Sequence, residues 1–188
     1  MSQAKTLTAD EFDQVLKFVA LRPLARRNRL MLLFSFWAGM RVGEIASLRV
    51  GDVVDAGGKV KAEIKLAAEQ TKGRHARTVF LPQKLRDELQ DYCDTRAVQD
   101  RKLSFFLTAG GKPFSANVMT QHFYWLYKKA GIEGASSHSG RRTFITTLAS
   151  KGIGVRVLAS LAGHRSIAVT QRYIDVNDVM KRNAVELV

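Results

Sequence analysis

Apolar positions follow a helical period over most of the chain and a two-residue period in one stretch near the middle. Phe12, Val15, Leu16 and Val19 recur three and four residues apart. Thr8 and Glu11 stand at capping-box spacing, so the first helix starts at Thr8, and Pro23 ends it. A second helix is predicted over about 26–38 and a third over about 42–48, with Gly39 at the break. The period then changes. Val60, Ala62, Ile64 and Leu66 alternate with Lys61, Glu63 and Lys65, which reads as a half-buried strand. Residues 77–81 form a second extended stretch, and the polar, basic run 70–75 between the two reads as a hairpin tip. The helical period returns over 83–98, 115–130, 139–151, 155–162, 166–173 and 177–187, with a short strand expected at 103–107. The pattern predicts an α+β fold, mostly helical, with a small antiparallel sheet. No internal repeat or low-complexity segment interrupts it.

Composition changes this picture in one respect. With 188 residues, 46% hydrophobic and 25% charged, the chain is long enough to bury a core without staples. Its charge is lopsided: 30 Lys and Arg against 17 Asp and Glu give +13. Such an excess points to a polyanionic partner, nucleic acid before an anionic membrane. Charge supplies attraction but no choice of sequence. Cys93 is the only cysteine, which excludes a disulfide framework and a Cys-rich zinc site within the chain. It is expected in the core and in a reducing cytoplasm. The polar start has no signal-peptide character, and the most apolar run, 30–40, is too short to span a bilayer. His75 and His122 stand apart from any carboxylate cluster at ligand spacing, so no metal or other cofactor is expected.

Three segments carry candidate chemistry. One is Ala38-Gly39-Met40-Arg41-Val42-Gly43-Glu44-Ile45. Another is the hairpin tip with Thr71-Lys72-Gly73. The last runs from His138-Ser139-Gly140-Arg141-Arg142 through Ala162-Gly163-His164 to Thr170-Gln171-Arg172-Tyr173. Singly each is ordinary: an Arg at a helix start is usually a surface residue, a basic hairpin tip usually just solvated, and a Tyr near the C-terminus usually packs. Together and in this order they resemble the catalytic set of the tyrosine recombinases, or phage integrases. Arg41 and Glu44 match its first motif, Lys72 its hairpin lysine, and His138 and Arg141 its H-x-x-R. His164 follows Arg141 by 23 residues, and Tyr173 follows His164 by nine. The resemblance covers nearly the whole chain and fills all six catalytic positions.

The resemblance implies a catalytic domain over 1–188, whose DNA chemistry runs through a 3′-phosphotyrosine. Tyr173 is then the nucleophile. Arg41 and Arg141 hold the scissile phosphate, Lys72 is the general acid for the leaving 5′-oxygen, His138 an acid/base, and His164 a hydrogen-bond partner of the phosphate. Glu44 orients its neighbours. The implied partners are double-stranded DNA, further copies in a homotetramer on paired sites, and accessory DNA-bending proteins. The implied place is the cytoplasm, at the nucleoid. Arg142 stands where many relatives carry His. The chain begins about where the catalytic domain does, so no core-binding domain is expected in it. In the tail, 176–188, Val176, Val179, Met180, Val185 and Leu187 suggest an apolar face that packs on its own domain or docks on a neighbouring protomer. Two other readings stay open: a type IB topoisomerase, against which the Ala-Gly-His-x-Ser segment speaks, and a DNA-binding regulator without catalysis.

Overall fold

The computed structural model describes residues 4–96, 100–174 and 178–186. The first helix, α1 (Ala9–Ala20), opens on the expected cap. Glu11 N–H donates to the Thr8 hydroxyl at 3.1 Å, and Thr8 N–H to the Glu11 carboxylate at 3.0 Å. Its inward stripe of Phe12, Val15 and Val19 lies on α2 (Ala25–Trp37), which is polar in its first turns, apolar beyond them, and runs through the core. Leu30 through Phe34 are buried without interruption, as in a helix covered on every side. Short α3 (Val42–Ala46) and α4 (Val50–Val53) follow.

Strands β1 (Glu63–Leu66) and β2 (Arg77–Phe80) pair antiparallel, with Ile64 opposite Val79 and Leu66 opposite Arg77 on the inner face. Their connection begins with a 3-10 turn (Ala68–Gln70). Thr71 then staples the tip, its hydroxyl accepting from His75 N–H at 3.0 Å. Then come α5 (Gln83–Asp94), α6 (Ala116–Lys129), α7 (Ser139–Ser150), α8 (Val155–Ala162), α9 (Ile167–Gln171) and α10 (Asp178–Val185). Helix α7 approaches α2 closely because Gly140 faces Ser35: a Cβ there would sit 2.7 Å from the Ser35 hydroxyl.

Two expectations need correction. Residues 103–107 form no strand: the chain bends at 103, 105 and 106. They make single bridges, Arg49 to Ser104 and Leu107 to Pro113, and their backbone bonds go to the loop between α3 and α4. Phe105 and Phe106 are both buried, so alternation fails: this segment plugs the core beside Phe34 rather than pairing at a sheet edge. Helix α5 stops at Asp94, not near 98; Val98 lies outside the described residues. Cys93 packs against the core only half-buried, and burial pushes its thiol pKa up to about 11. Of the tail's apolar positions, Val185 is 68% exposed; Val176, Leu187 and the side chains of Val179 and Met180 lie outside the described residues. Among the described residues, no helix is long and apolar enough to cross a membrane.

Candidate active site

A helix ends in carbonyls that have no partner within it. At the end of α8, three consecutive carbonyls each meet a different arginine. Arg77 Nη1 donates to Leu161 O at 2.8 Å, Arg141 Nη2 to Ala162 O, and Arg41 Nη2 to Gly163 O at 3.4 Å. The negative end of the helix dipole favours this gathering of cations. Gly163 makes the approach possible. It takes φ +60° to end α8, and a Cβ on it would lie 2.5 Å from Arg77 Cδ.

Glu44 ties two of the arginines together. Its Oε1 accepts from Arg41 Nη1 at 2.9 Å and Arg77 Nε at 3.1 Å; its Oε2 accepts from Arg77 Nη2 at 2.7 Å and the Arg41 backbone N–H at 2.8 Å. The carboxylate is 1% exposed. Burial alone pushes its pKa up, but the bonds and charge of Arg77, then those of Arg41, outweigh this and the net shift is down. Arg141 comes in from α7, is 5% exposed, and anchors its Nη1 on Gly39 O at 2.6 Å. Burial, then the charge of Arg41, lowers its pKa to about 9, so it stays charged at neutral pH. One buried carboxylate therefore binds two guanidiniums and acts on the third only through its charge.

The histidines read out the same positive field. His164 Nε2 lies 3.1 Å from Arg141 Nη2, and Nδ1 lies 2.9 Å from the Thr170 hydroxyl. A guanidinium only donates, so Nε2 must accept and Nδ1 carries the proton. Burial, then Arg141, Arg41 and Arg77, push the His164 pKa down to about 4. His138, at the start of α7, is lowered by burial and then by Arg141, Lys72 and Arg41. Tyr173 follows α9, its ring stacked on His164 with centroids 5.7 Å apart and planes 21° from parallel.

Two clefts meet at Arg41 and Lys72. One, of about 430 Å³, is lined by Lys72, His75, Arg77, His164 and Arg165; the other, of about 580 Å³, by Glu44, Phe114, Asn117 and His138. The structure thus gathers Arg41, Lys72, His138 and His164 around connected space. Arg141 lies behind it, and Tyr173 sits beside His164 outside the lining of either cleft. Sequence reasoning missed Arg77 and Thr170. Arg77 had left a signal: it shares the inward phase of Val79 and Leu81, where a charge needs a buried partner. His75, set aside above, lines the first cleft. His122 instead bonds Asn28 Oδ1 at 3.0 Å, and burial, then Arg27, pushes its pKa down to about 4. Among the described residues, no three His, Cys, Asp or Glu are grouped so as to hold a metal ion.

Comparison with known proteins agrees with this architecture. The model of the phage integrase family matches residues 5–180. Tyrosine recombinase XerA of Thermococcus kodakarensis is 30% identical over 190 residues, covering 98% of this chain and 63% of the relative. Tyrosine recombinase XerC of Lactobacillus leichmannii is 28% identical over 182 residues, covering 89% of this chain and 57% of that one. The chain thus spans less than two thirds of the length of these relatives. The crystal structure of XerA recombinase superposes with a TM-score of 0.77 at 25% identity, over 100% of this chain and 64% of that one. The Tn1549 transposon integrase, solved in complex with a circular intermediate DNA, shares the fold with a TM-score of 0.76 at 18% identity, over 100% of this chain and 67% of that one. With the family matched over nearly all its length and the fold shared throughout, this chain belongs to the phage integrase family.

Proposed function

We propose that this chain cuts and rejoins double-stranded DNA as the catalytic unit of a tyrosine-type site-specific recombinase. The observation that carries the reading is the charge imbalance: Arg41, Arg77 and Arg141 converge on the end of α8 with one buried carboxylate, bound to Arg41 and Arg77, among them, beside a cleft that also holds Lys72. Such a site suits an anion the shape of a phosphodiester, and guanidiniums bind phosphate oxygens in pairs. In the proposed step, Tyr173 Oη attacks the scissile phosphorus. The P–Oη bond forms as the P–O5′ bond breaks. His138, whose pKa is lowered by burial and then by Arg141, Lys72 and Arg41, takes the phenol proton, and Lys72 gives one to the 5′-oxygen. Ionising a tyrosine at pH 7 costs about 4 kcal/mol, which the arginines offset by stabilising charge on the phosphoryl oxygens. His164 Nε2 accepts from Arg141 in this structure. An anion in the cleft raises its pKa, and once protonated it donates to the phosphate. The linkage keeps the energy of the broken bond, so rejoining needs no ATP. The assembly in this reading is a homotetramer on paired sites, helped by DNA-bending proteins, in the cytoplasm at the nucleoid.

The test is a nicked suicide duplex built from DNA flanking the gene, mixed with the protein and run on a denaturing gel. A band of covalently shifted DNA that vanishes in Tyr173→Phe supports the reading. An adduct that survives in Tyr173→Phe overturns it. A salt-sensitive gel shift without any adduct favours a binding module, and relaxation of supercoils without paired sites favours a topoisomerase.

A further inference from the structure

Residues near the N-terminus run along α7. Leu7, buried, donates its N–H to the Thr143 hydroxyl at 2.8 Å. One residue earlier, the Thr6 hydroxyl accepts from Arg142 Nε at 3.1 Å. Arg142 and Arg141 are neighbours with opposite assignments. Arg141 turns into the buried arginine cluster, whereas Arg142 lies over the Tyr173 ring, its guanidinium carbon 5.1 Å from the centroid. No carboxylate pairs with Arg142 among the described residues.

Tyr173 donates its backbone N–H to Thr170 O at 2.9 Å. It sits in the turn after a helix of five residues, and the ring contacts described for it are those with His164 and Arg142. A misplacement of about 1 Å at a reacting atom can cost about a hundredfold in rate. We infer that Arg142 is a positioning residue that holds the Tyr173 ring beside His164. Thr6 in turn sets Arg142, so the place of the N-terminal segment is felt at the nucleophile. The inference rests on Tyr173 acting as proposed above, but the ring contact can be tested without it.

Two readouts test it on the full chain. The first is single-turnover adduct formation at saturating nicked duplex. The second is the ¹⁹F spectrum of protein labelled with 3-fluorotyrosine, in which Tyr173→Phe identifies one resonance among four tyrosines. Arg142→Ala is expected to slow adduct formation about two- to thirtyfold, the range a cation over an aromatic ring spans. It should shift the Tyr173 line and leave the other three in place, which also shows that the fold is intact. Arg142→Lys should restore only part of the rate, because an ammonium lacks the planar fork that serves ring and hydroxyl together. Thr6→Val should shift the same line and slow the same step, with no further effect on top of Arg142→Ala. An unmoved line with an unchanged rate in Arg142→Ala overturns the inference, as does full recovery of rate by Lys. Equal effects of Thr6→Val in both backgrounds overturn the Thr6 link. An adduct in Tyr173→Phe would sink the proposed nucleophile instead, and the line shift would still decide whether Arg142 holds the ring.

Discussion

Replacing Glu44 by Gln removes one negative charge at almost constant volume. The carboxylate accepts four hydrogen bonds from Arg41 and Arg77 and is 1% exposed. A Gln keeps one acceptor oxygen and turns its amide N–H groups toward guanidinium donors. Removing one partner of a buried ion pair costs about 3–5 kcal/mol, because the remaining charge stays buried without compensation. Domains of this kind are held by about 5–15 kcal/mol, so Glu44→Gln should lose about a fifth of the stability or more. Urea unfolding followed by circular dichroism measures it. With a slope of about 1–3 kcal/mol/M, the midpoint should fall by roughly 1 M or more at an unchanged slope. Added inorganic phosphate should recover more stability in this variant than in the parent, since the uncovered arginines gain a counter-charge. Glu44→Gln with Arg77→Met should also recover part of the loss, because the pair is then removed together. A loss below about 1 kcal/mol would refute the view that Glu44 neutralises the arginine cluster.

Three further outcomes are expected. Gly163→Ala must hold a left-handed backbone at about 1–2 kcal/mol and press a methyl onto Arg77, so thermal melts should drop and adduct formation should slow; an unchanged melt would contradict the close approach. Stability should decline as pH falls from 6.5 toward 4. Unfolded His122 and His164 take up protons there, while the folded protein, with both pKa values near 4, does not. Below that window the depressed pKa of Glu44 adds a second loss; His122→Gln should flatten the upper slope, and an identical slope would rule His122 out as its source. Cleavage should proceed equally in EDTA, because side-chain cations supply the positive charge; a requirement for added magnesium would contradict this.

Much of the scaffold was legible because it follows from periodicity and local chemistry. The Thr8–Glu11 cap and the basic tip leave residue-level marks, and the alternation over 60–66 located β1 but overran its start, since the strand begins at Glu63 and Ala62 is exposed. Helix α4 left none: four residues are too few to show a period. The stretch 103–107 misled because two adjacent buried phenylalanines imitate a strand when their partners are loops. The candidate site was proposed through its resemblance, in the spacing of Arg41, Lys72, His138, Arg141, His164 and Tyr173. What holds these side chains was less so. The carbonyls of Leu161, Ala162 and Gly163 are backbone groups, and any residue supplies one, so no letter in the sequence announces them. Arg77 was visible in principle, as a charge on the inward phase of β2.

The docking of Arg41, Arg77 and Arg141 on successive carbonyls of α8 has a mechanical consequence. Three side chains from α7, β2 and the turn before α3 share one mooring, and His164 follows that mooring directly along the chain. A small rotation or slide of α8 would move all three guanidiniums as a single load and carry the imidazole with them. One short helix is thereby the common seat of three cations and an imidazole, and Glu44 carries its position on to β2 and the turn before α3.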